Sequence, residues 1–283
     1  MGRQSALVDH LLRSVAIVLL VTLLAACDSL PGLSTAQERS LYKDRSVESL
    51  YNNAMDNVES GWYQTAAELF DEVERQHPYS AWATKAQLMA AYSHYLRDSY
   101  DEAIIALDRF IELHPGHPEV AYAQYLKALS YYEQISDIGR DQKMTQLALV
   151  SLRDVVKRYP ETTYARDARI KLDLTQDHLA GKEMEIGRYY MRRKEYLAAI
   201  NRFKTVIRKF QTTTHVPEAL HRMTESYLAL GITDEAQMTT AVLGHNYPGS
   251  RWYEDSYALL EGVSLQPEPK KSSWLSWMWN WAF

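Results

Sequence analysis

A short pattern that recurs along the chain limits its fold more than any other feature. Tyr63, Ala66, Phe70, Val73 and Pro78 return 37 residues later as Tyr100, Ala103, Leu107, Phe110 and Pro115. A third copy reads Tyr196, Ala199, Phe203 and Val206, with Gln211 in the proline position. Two more copies keep the small residue and the proline, as Ala148-Leu152-Val155-Pro160 and Ala236-Thr240-Leu243-Pro248. Steps of three and four residues put each set on one face of a helix. The alanine marks a close helix crossing, and the proline falls where the helix must stop. Upstream lie further amphipathic segments with a small residue in the middle, at Ala54, Ala91, Ala128 and Gly187. Each unit therefore reads as two antiparallel helices.

A helical pair repeated at this period, with small-aromatic-aliphatic-proline order, resembles the tetratricopeptide repeat. The expected fold is all-α, a right-handed superhelical solenoid of five tetratricopeptide-like helix pairs covering roughly Ser46 to Leu260. Two irregularities divide it. The third pair carries an extra polar loop from Gln134 to Asp141, too long for a plain repeat turn. A proline-free stretch from about Thr162 to Arg193 predicts one long helix, in which Gly181 and Gly187 permit a bend or a close neighbour. Repeats one to three (46–160) are expected to form a groove module. The long helix with repeats four and five (161–262) is expected to form a partner-docking module.

The ends of the chain read differently. Arg3 and Arg13 flank the start of an apolar run, Val15 to Leu24, too short for a stable membrane span. Leu24-Ala25-Ala26 precede Cys27, the one cysteine among 283 residues. This order resembles a bacterial lipobox, which implies a signal peptide over 1–26 and a diacylglycerol and an N-acyl chain on Cys27. Each buried methylene of such chains contributes about 0.8 kcal/mol to anchoring. Residues 27–45 then form an acylated linker. Asp28 leaves the choice between inner and outer membrane open, because an aspartate there retains lipoproteins on the inner membrane of enteric bacteria. At the other end a Pro/Lys linker leads into Trp274, Trp277, Trp279, Trp281 and Phe283 within a tail over 263–283. As a helix this tail suits insertion at a lipid surface behind Lys270-Lys271. As a strand it aligns Leu275, Trp277, Trp279, Trp281 and Phe283 on one side.

Charge is unevenly placed. Residues 140–211 carry 17 basic and 9 acidic side chains, whereas 27–139 carry 8 and 18 and 212–283 carry 4 and 8. A net-negative chain of this kind is no general nucleic-acid binder, while the basic block suits an acidic partner surface. Catalytic and metal readings find little support. His114-Pro115-Gly116-His117 is a turn without cysteine or carboxylate in ligand spacing. No phosphate loop, nucleophile elbow or His-Glu-x-x-His occurs. No cofactor, metal or catalytic residue is expected.

The lipobox, the five units and several local stretches together resemble the BamD (ComL) family of outer-membrane assembly lipoproteins. The stretches are Asp108-Arg109-Phe110-Ile111-x-Leu113-x-Pro115-x-His117-Pro118, Tyr122-x-x-Tyr125, Arg140-Asp141, Tyr159-Pro160, Tyr164-x-x-Asp167-Ala168, Tyr189-Tyr190 and Asn201-Arg202. The resemblance implies a lipid-anchored, non-catalytic protein on the periplasmic face of the outer membrane. It would dock on the POTRA region of BamA, alongside the other subunits, and recognise C-terminal segments of unfolded outer-membrane proteins. Arg202, with Arg188 and Arg193, is the implied partner contact; the plain alternative for Arg202 is an ion pair within its helix, for example with Glu195. Tyr92, Arg109, Tyr122 and Tyr125 are the implied peptide groove. The aromatic tail then resembles the very signal that such a groove reads, which makes it a candidate pseudo-substrate. A different periplasmic tetratricopeptide lipoprotein, scaffolding cell-wall or division enzymes, fits the repeat pattern equally well.

Overall fold

The computed structural model describes residues 46–262, and these are helical throughout apart from their turns. Cys27, the signal and linker before residue 46, and the aromatic tail from Trp274 to Phe283 lie outside the described residues. Eleven helices follow in order among those described: α1 Val47–Glu59, α2 Tyr63–Gln76, α3 Ala81–Leu96, α4 Tyr100–Leu113, α5 Val120–Tyr132, α6 Lys143–Arg158, α7 Thr163–Arg192, α8 Tyr196–Lys209, α9 Val216–Ala229, α10 Thr233–Asn246 and α11 Arg251–Leu260. The first ten are the five expected pairs, and α11 is an additional helix packed on α9 and α10. The described residues pack as two compact units, divided between Met89 and Ala90. In the first, α1 packs on α2; in the second, from α4 to α10, each helix packs on the next.

The recurring pattern is the core. Ala66, Phe70, Val73, Ala103, Leu107, Phe110, Ala148, Leu152, Val155, Ala199, Phe203, Val206, Ala236 and Leu243 are all fully buried. The small residues of the first helices, Ala54, Ala91, Ala128 and Gly187, are buried too. Gly187 has a physical reason to lack a side chain: a Cβ there would lie 2.4 Å from the ring of Phe203. Phe203 follows Gly187 by sixteen residues, and the same step leads from Thr224 to Thr240 in the fifth pair. There the crossing is polar, with Thr224 Oγ1 3.2 Å from Thr240 Oγ1 and 2.8 Å from Thr239 Oγ1. Thr224 is the fifth small-residue position, and it escapes a search for alanine or glycine.

The five corners that follow the second helices of the pairs share one geometry. The residue after each second helix is His77, His114, Tyr159, Phe210 or Tyr247, with φ between −128° and −136° and ψ between 47° and 55°. Each donates its N–H to the carbonyl of the pattern residue four back, Val73, Phe110, Val155, Val206 or Leu243. Each accepts from the N–H three residues on, at 3.0–3.1 Å. The fourth corner, Phe210-Gln211, does this without proline, so proline is not what ends the helix. Proline fits because the residue before it is held out of the α region in any case.

Within pairs, the tight turns place Gly61, Asp98, Lys194 and Gly231 at φ of 60–77°, the left-handed region that suits glycine. The third pair replaces this turn by the long insert, and the insert is fastened down. Asp137 Oδ1 accepts from Gly139 N at 2.7 Å, and Gln142 Nε2 donates to Asp137 O and Arg140 O at 3.2 and 3.1 Å. Lys182 Nζ of α7 donates to Gly139 O at 3.2 Å. Gly181 of α7 lets the Ile138 side chain approach closely. The long helix α7 has the expected limits, with Thr162 as its N-cap accepting from Ala165 N at 3.1 Å.

The additional helix α11 is clamped to α9 by a buried polar contact. His221 Nδ1 lies 2.8 Å from Ser256 Oγ, which itself donates to Trp252 O at 2.8 Å. The Trp252 ring stands 5.2 Å from the imidazole. Burial holds the His221 pKa below the ordinary histidine value, although Glu225 opposes the shift.

Candidate functional site

The first helices of the second unit present a cluster of tyrosines. Tyr122 and Tyr125 are one helical turn apart on α5, and Tyr164 of α7 meets both rings, at centroid distances of 5.4 and 5.5 Å. The Tyr125–Tyr164 pair is stacked, with planes 27° apart. Burial raises the pKa of the Tyr122 phenol, and the phenols of Tyr92, Tyr164 and Tyr95 add to the shift, which places Tyr92 and Tyr95 of α3 beside it. All of these rings are half-buried. They offer apolar faces of low conformational entropy with hydroxyls at the rim.

A charged pair borders the cluster. The Tyr125 hydroxyl donates to Asp167 Oδ2, and Lys171 Nζ lies 3.1 Å from the same carboxylate. The phenol hydrogen bond, followed by the lysine, holds the Asp167 carboxyl below the usual carboxylate range. Burial, then the Asp167 hydrogen bond, pushes the Tyr125 phenol up. The Lys171 ammonium also sits 5.5 Å from the centre of the Tyr132 ring. Tyr164, Asp167 and Lys171 thus complete a face that the sequence reading placed on Tyr92, Tyr122 and Tyr125. The signal for them lies in their spacing, three and four residues apart on one side of α7.

Arg109 does not belong to this face. It is exposed on α4, the second helix of its pair, whereas the tyrosines stand on the first helices α3 and α5.

The three arginines of the basic block have separate partners. Arg202 of α8 donates through Nη1 to Glu183 Oε2 of α7 at 3.2 Å, which replaces the pairing with Glu195 considered from sequence. Glu195 is taken instead by Arg193 Nε at 2.9 Å, while Arg193 Nη1 donates to the Tyr189 hydroxyl at 3.1 Å. Arg188 bridges α7 to α9 by donating to Glu218 at 3.0 Å, and Arg222 lies 3.5 Å from the same carboxylate. Arg188 is thereby part of an internal network. Arg202 keeps 42% of its side chain exposed and lines a cleft of about 250 Å³ with Tyr190, Ala198, Asn201 and Thr205. An exposed ion pair of this kind contributes ~0–1 kcal/mol, so its acid is easily exchanged for another.

No helix among the described residues is long and apolar enough to cross a membrane. No group of three or more His, Cys, Asp or Glu among them is placed to hold a metal ion.

Residues 43–243 match the family model described as YfiO, outer membrane lipoprotein. The chain is 50% identical over 261 residues to the outer membrane protein assembly factor BamD of Caulobacter vibrioides, covering 92% of this chain and 84% of that one. It is 49% identical over 215 residues to the BamD of Rickettsia prowazekii, covering 76% and 86% of the two chains. With the BamD of Neisseria meningitidis it shares 35% identity over 224 residues, covering 76% and 84%.

Proposed function

Because the chain belongs to the YfiO family of outer membrane lipoproteins, whose relatives are the outer membrane protein assembly factors named BamD, we propose that it is a non-catalytic docking component of the outer-membrane β-barrel assembly machinery. It takes part in outer membrane protein assembly and is associated with the outer membrane, as those relatives are. In this reading it is held on the periplasmic face by acyl chains on Cys27. It docks on the POTRA region of BamA through the cleft beside Arg202 and receives C-terminal segments of unfolded barrel proteins on its tyrosine face.

The observation that carries the recognition role is the stack of Tyr122, Tyr125 and Tyr164, bordered by Asp167 and Lys171. Half-buried aromatic rings with hydroxyls and one charged pair suit an extended peptide whose side chains are aromatic and whose backbone seeks hydrogen bonds. The docking role rests on Arg202. Its present acid, Glu183, is exchangeable at small energetic cost.

Reversal of charge by Arg202→Glu is expected to abolish co-purification of BamA from detergent-solubilised envelope at physiological salt. Undiminished recovery overturns the docking assignment. Recovery of peptidoglycan enzymes in place of BamA, by the unaltered protein, transfers the chain to the cell-wall scaffold class.

A further inference from the structure

Beyond the tyrosines the same face of α7 continues. Tyr164, Asp167, Lys171, Leu174 and His178 follow at steps of three and four, so one strip of helix surface joins them. At the His178 end the insert between α5 and α6 forms one wall of an open pocket of about 440 Å³, and α7 forms another. Tyr132, Ile135 and Leu174 give it apolar sides, Glu133 and Asp137 stand at its mouth, and His178 lines it. Glu133 and Asp137 are both exposed, whereas the Nε2 atom of His178 is buried and has no hydrogen-bond partner among the described residues.

The residues that line this pocket include two carboxylates, Glu133 and Asp137, and no lysine or arginine. Glu133 is the C-cap of α5, so the carbonyl end of that helix adds to its carboxylate. Asp137 brings a second carboxylate, fixed by its bond to Gly139 N at 2.7 Å. The neighbouring lysines of the strip are engaged: Lys171 is matched by Asp167 at 3.1 Å, and Lys182 donates to Gly139 O at 3.2 Å. The wall that carries these acids is held to α7 through Lys182 and to itself through Gln142. Such a site is preorganised for a cation with an apolar stem, since the side walls take the methylenes while the mouth takes the charge.

We propose that the pocket under the insert is a subsite for a basic side chain of an extended peptide whose aromatic residues stack on the tyrosine face. This rests on the reading of that face as a peptide groove. The spacing follows from the helix. Tyr164 and His178 are fourteen residues apart, about 21 Å at the rise of an α-helix. An extended peptide crosses that span in about six residues. The subsite thus selects for an arginine or lysine about six positions from the aromatic pair, and it fixes the direction in which the peptide lies.

The test uses the purified full-length protein and two fluorescent peptides. Both end in two aromatic residues; one carries arginine six positions earlier and the other carries citrulline, which has the same shape without the charge. Fluorescence anisotropy at low salt is expected to give about ten-fold tighter binding of the arginine peptide. The preference should disappear in a Glu133→Gln/Asp137→Asn double variant and in high salt. Asp137→Asn leaves an amide oxygen to accept from Gly139, and an unchanged melting curve verifies that the insert stays in place. Tyr122→Ala should weaken both peptides equally. If both peptides bind the unaltered protein within two-fold of each other, or if the double variant keeps the preference, the subsite is overturned while the groove stands. If neither peptide binds, the groove reading falls and the subsite with it.

Discussion

Replacing Gly187 with alanine probes the close crossing of α7 and α8. Two opposing effects set the outcome. Alanine is favoured over glycine within a helix by about 1 kcal/mol. Against this, the added Cβ would stand 2.4, 2.7 and 2.8 Å from three carbons of the Phe203 ring, a fully buried side chain. Relief requires the ring or the helix axis to move by roughly an ångström in a close-packed interior, and such overpacking costs about 1–3 kcal/mol or more. With overpacking in the upper half of that range, the expected net loss is about 1–2 kcal/mol, a fall in melting temperature of roughly 2–8 °C for a domain of this size. Leu107 and Leu152 stand at the position of Phe203 in units whose small residue is alanine, Ala91 and Ala128. A Gly187→Ala/Phe203→Leu double variant should therefore recover at least 1 kcal/mol of coupling energy in a double-mutant cycle. The first pair supplies the refuting possibility, because Ala54 and Phe70 coexist there with the Phe70 ring 5.3 Å from Tyr51. If Phe203 turns aside as freely, Gly187→Ala will be as stable as the unaltered protein or more so, and the steric argument fails.

Two further outcomes follow from the turns and the clamp. Lys194 holds φ at 62°, which costs a β-carbon residue about 1–2 kcal/mol; Lys194→Gly should raise the midpoint of chemical denaturation, and a lower midpoint contradicts the strain. His221 is buried with its pKa below the ordinary value, so the unfolded chain binds its proton first as pH falls. Its contribution to stability is then complete above the unfolded pKa of about 6.5 and shrinks below it. His221→Gln should flatten the loss of thermal stability between pH 7 and pH 5, and an unchanged slope refutes the assignment.

What the sequence makes legible is what depends on spacing within one helix. The buried set of every second helix, the limits of α7 and the place of the insert all follow from residues three, four or a few positions apart, where backbone geometry alone dictates proximity. Contacts between helices are less accessible. Arg202 reaches Glu183, nineteen positions back, because of how α7 and α8 cross, and a sequence neighbour such as Glu195 looks equally suitable beforehand. Tyr164, Asp167 and Lys171 join the tyrosine face for the same reason: α7 runs alongside α5. The family resemblance assigns Arg109 to that face, although its helix is the second of a pair. Thr224 escapes the small-residue pattern because a polar residue can serve at a close crossing when its hydroxyl has partners there.

The insert between α5 and α6 has an implication for how such chains change over time. Ala128 precedes Leu152 by 24 residues, whereas the corresponding step in the fourth and fifth pairs is sixteen. Most of the surplus lies in the turn, which spans 133–142 where the fourth pair has 193–195, and Ala128, Leu152 and Val155 remain in one buried cluster with Ala168. A turn within a pair can thus gain length while the buried contacts of the two helices it joins are kept. The corners after the pairs have no such freedom, since all five repeat the same dihedral angles and hydrogen bonds. Novelty therefore enters this architecture at one kind of loop, and in this protein that loop has become the wall of a pocket.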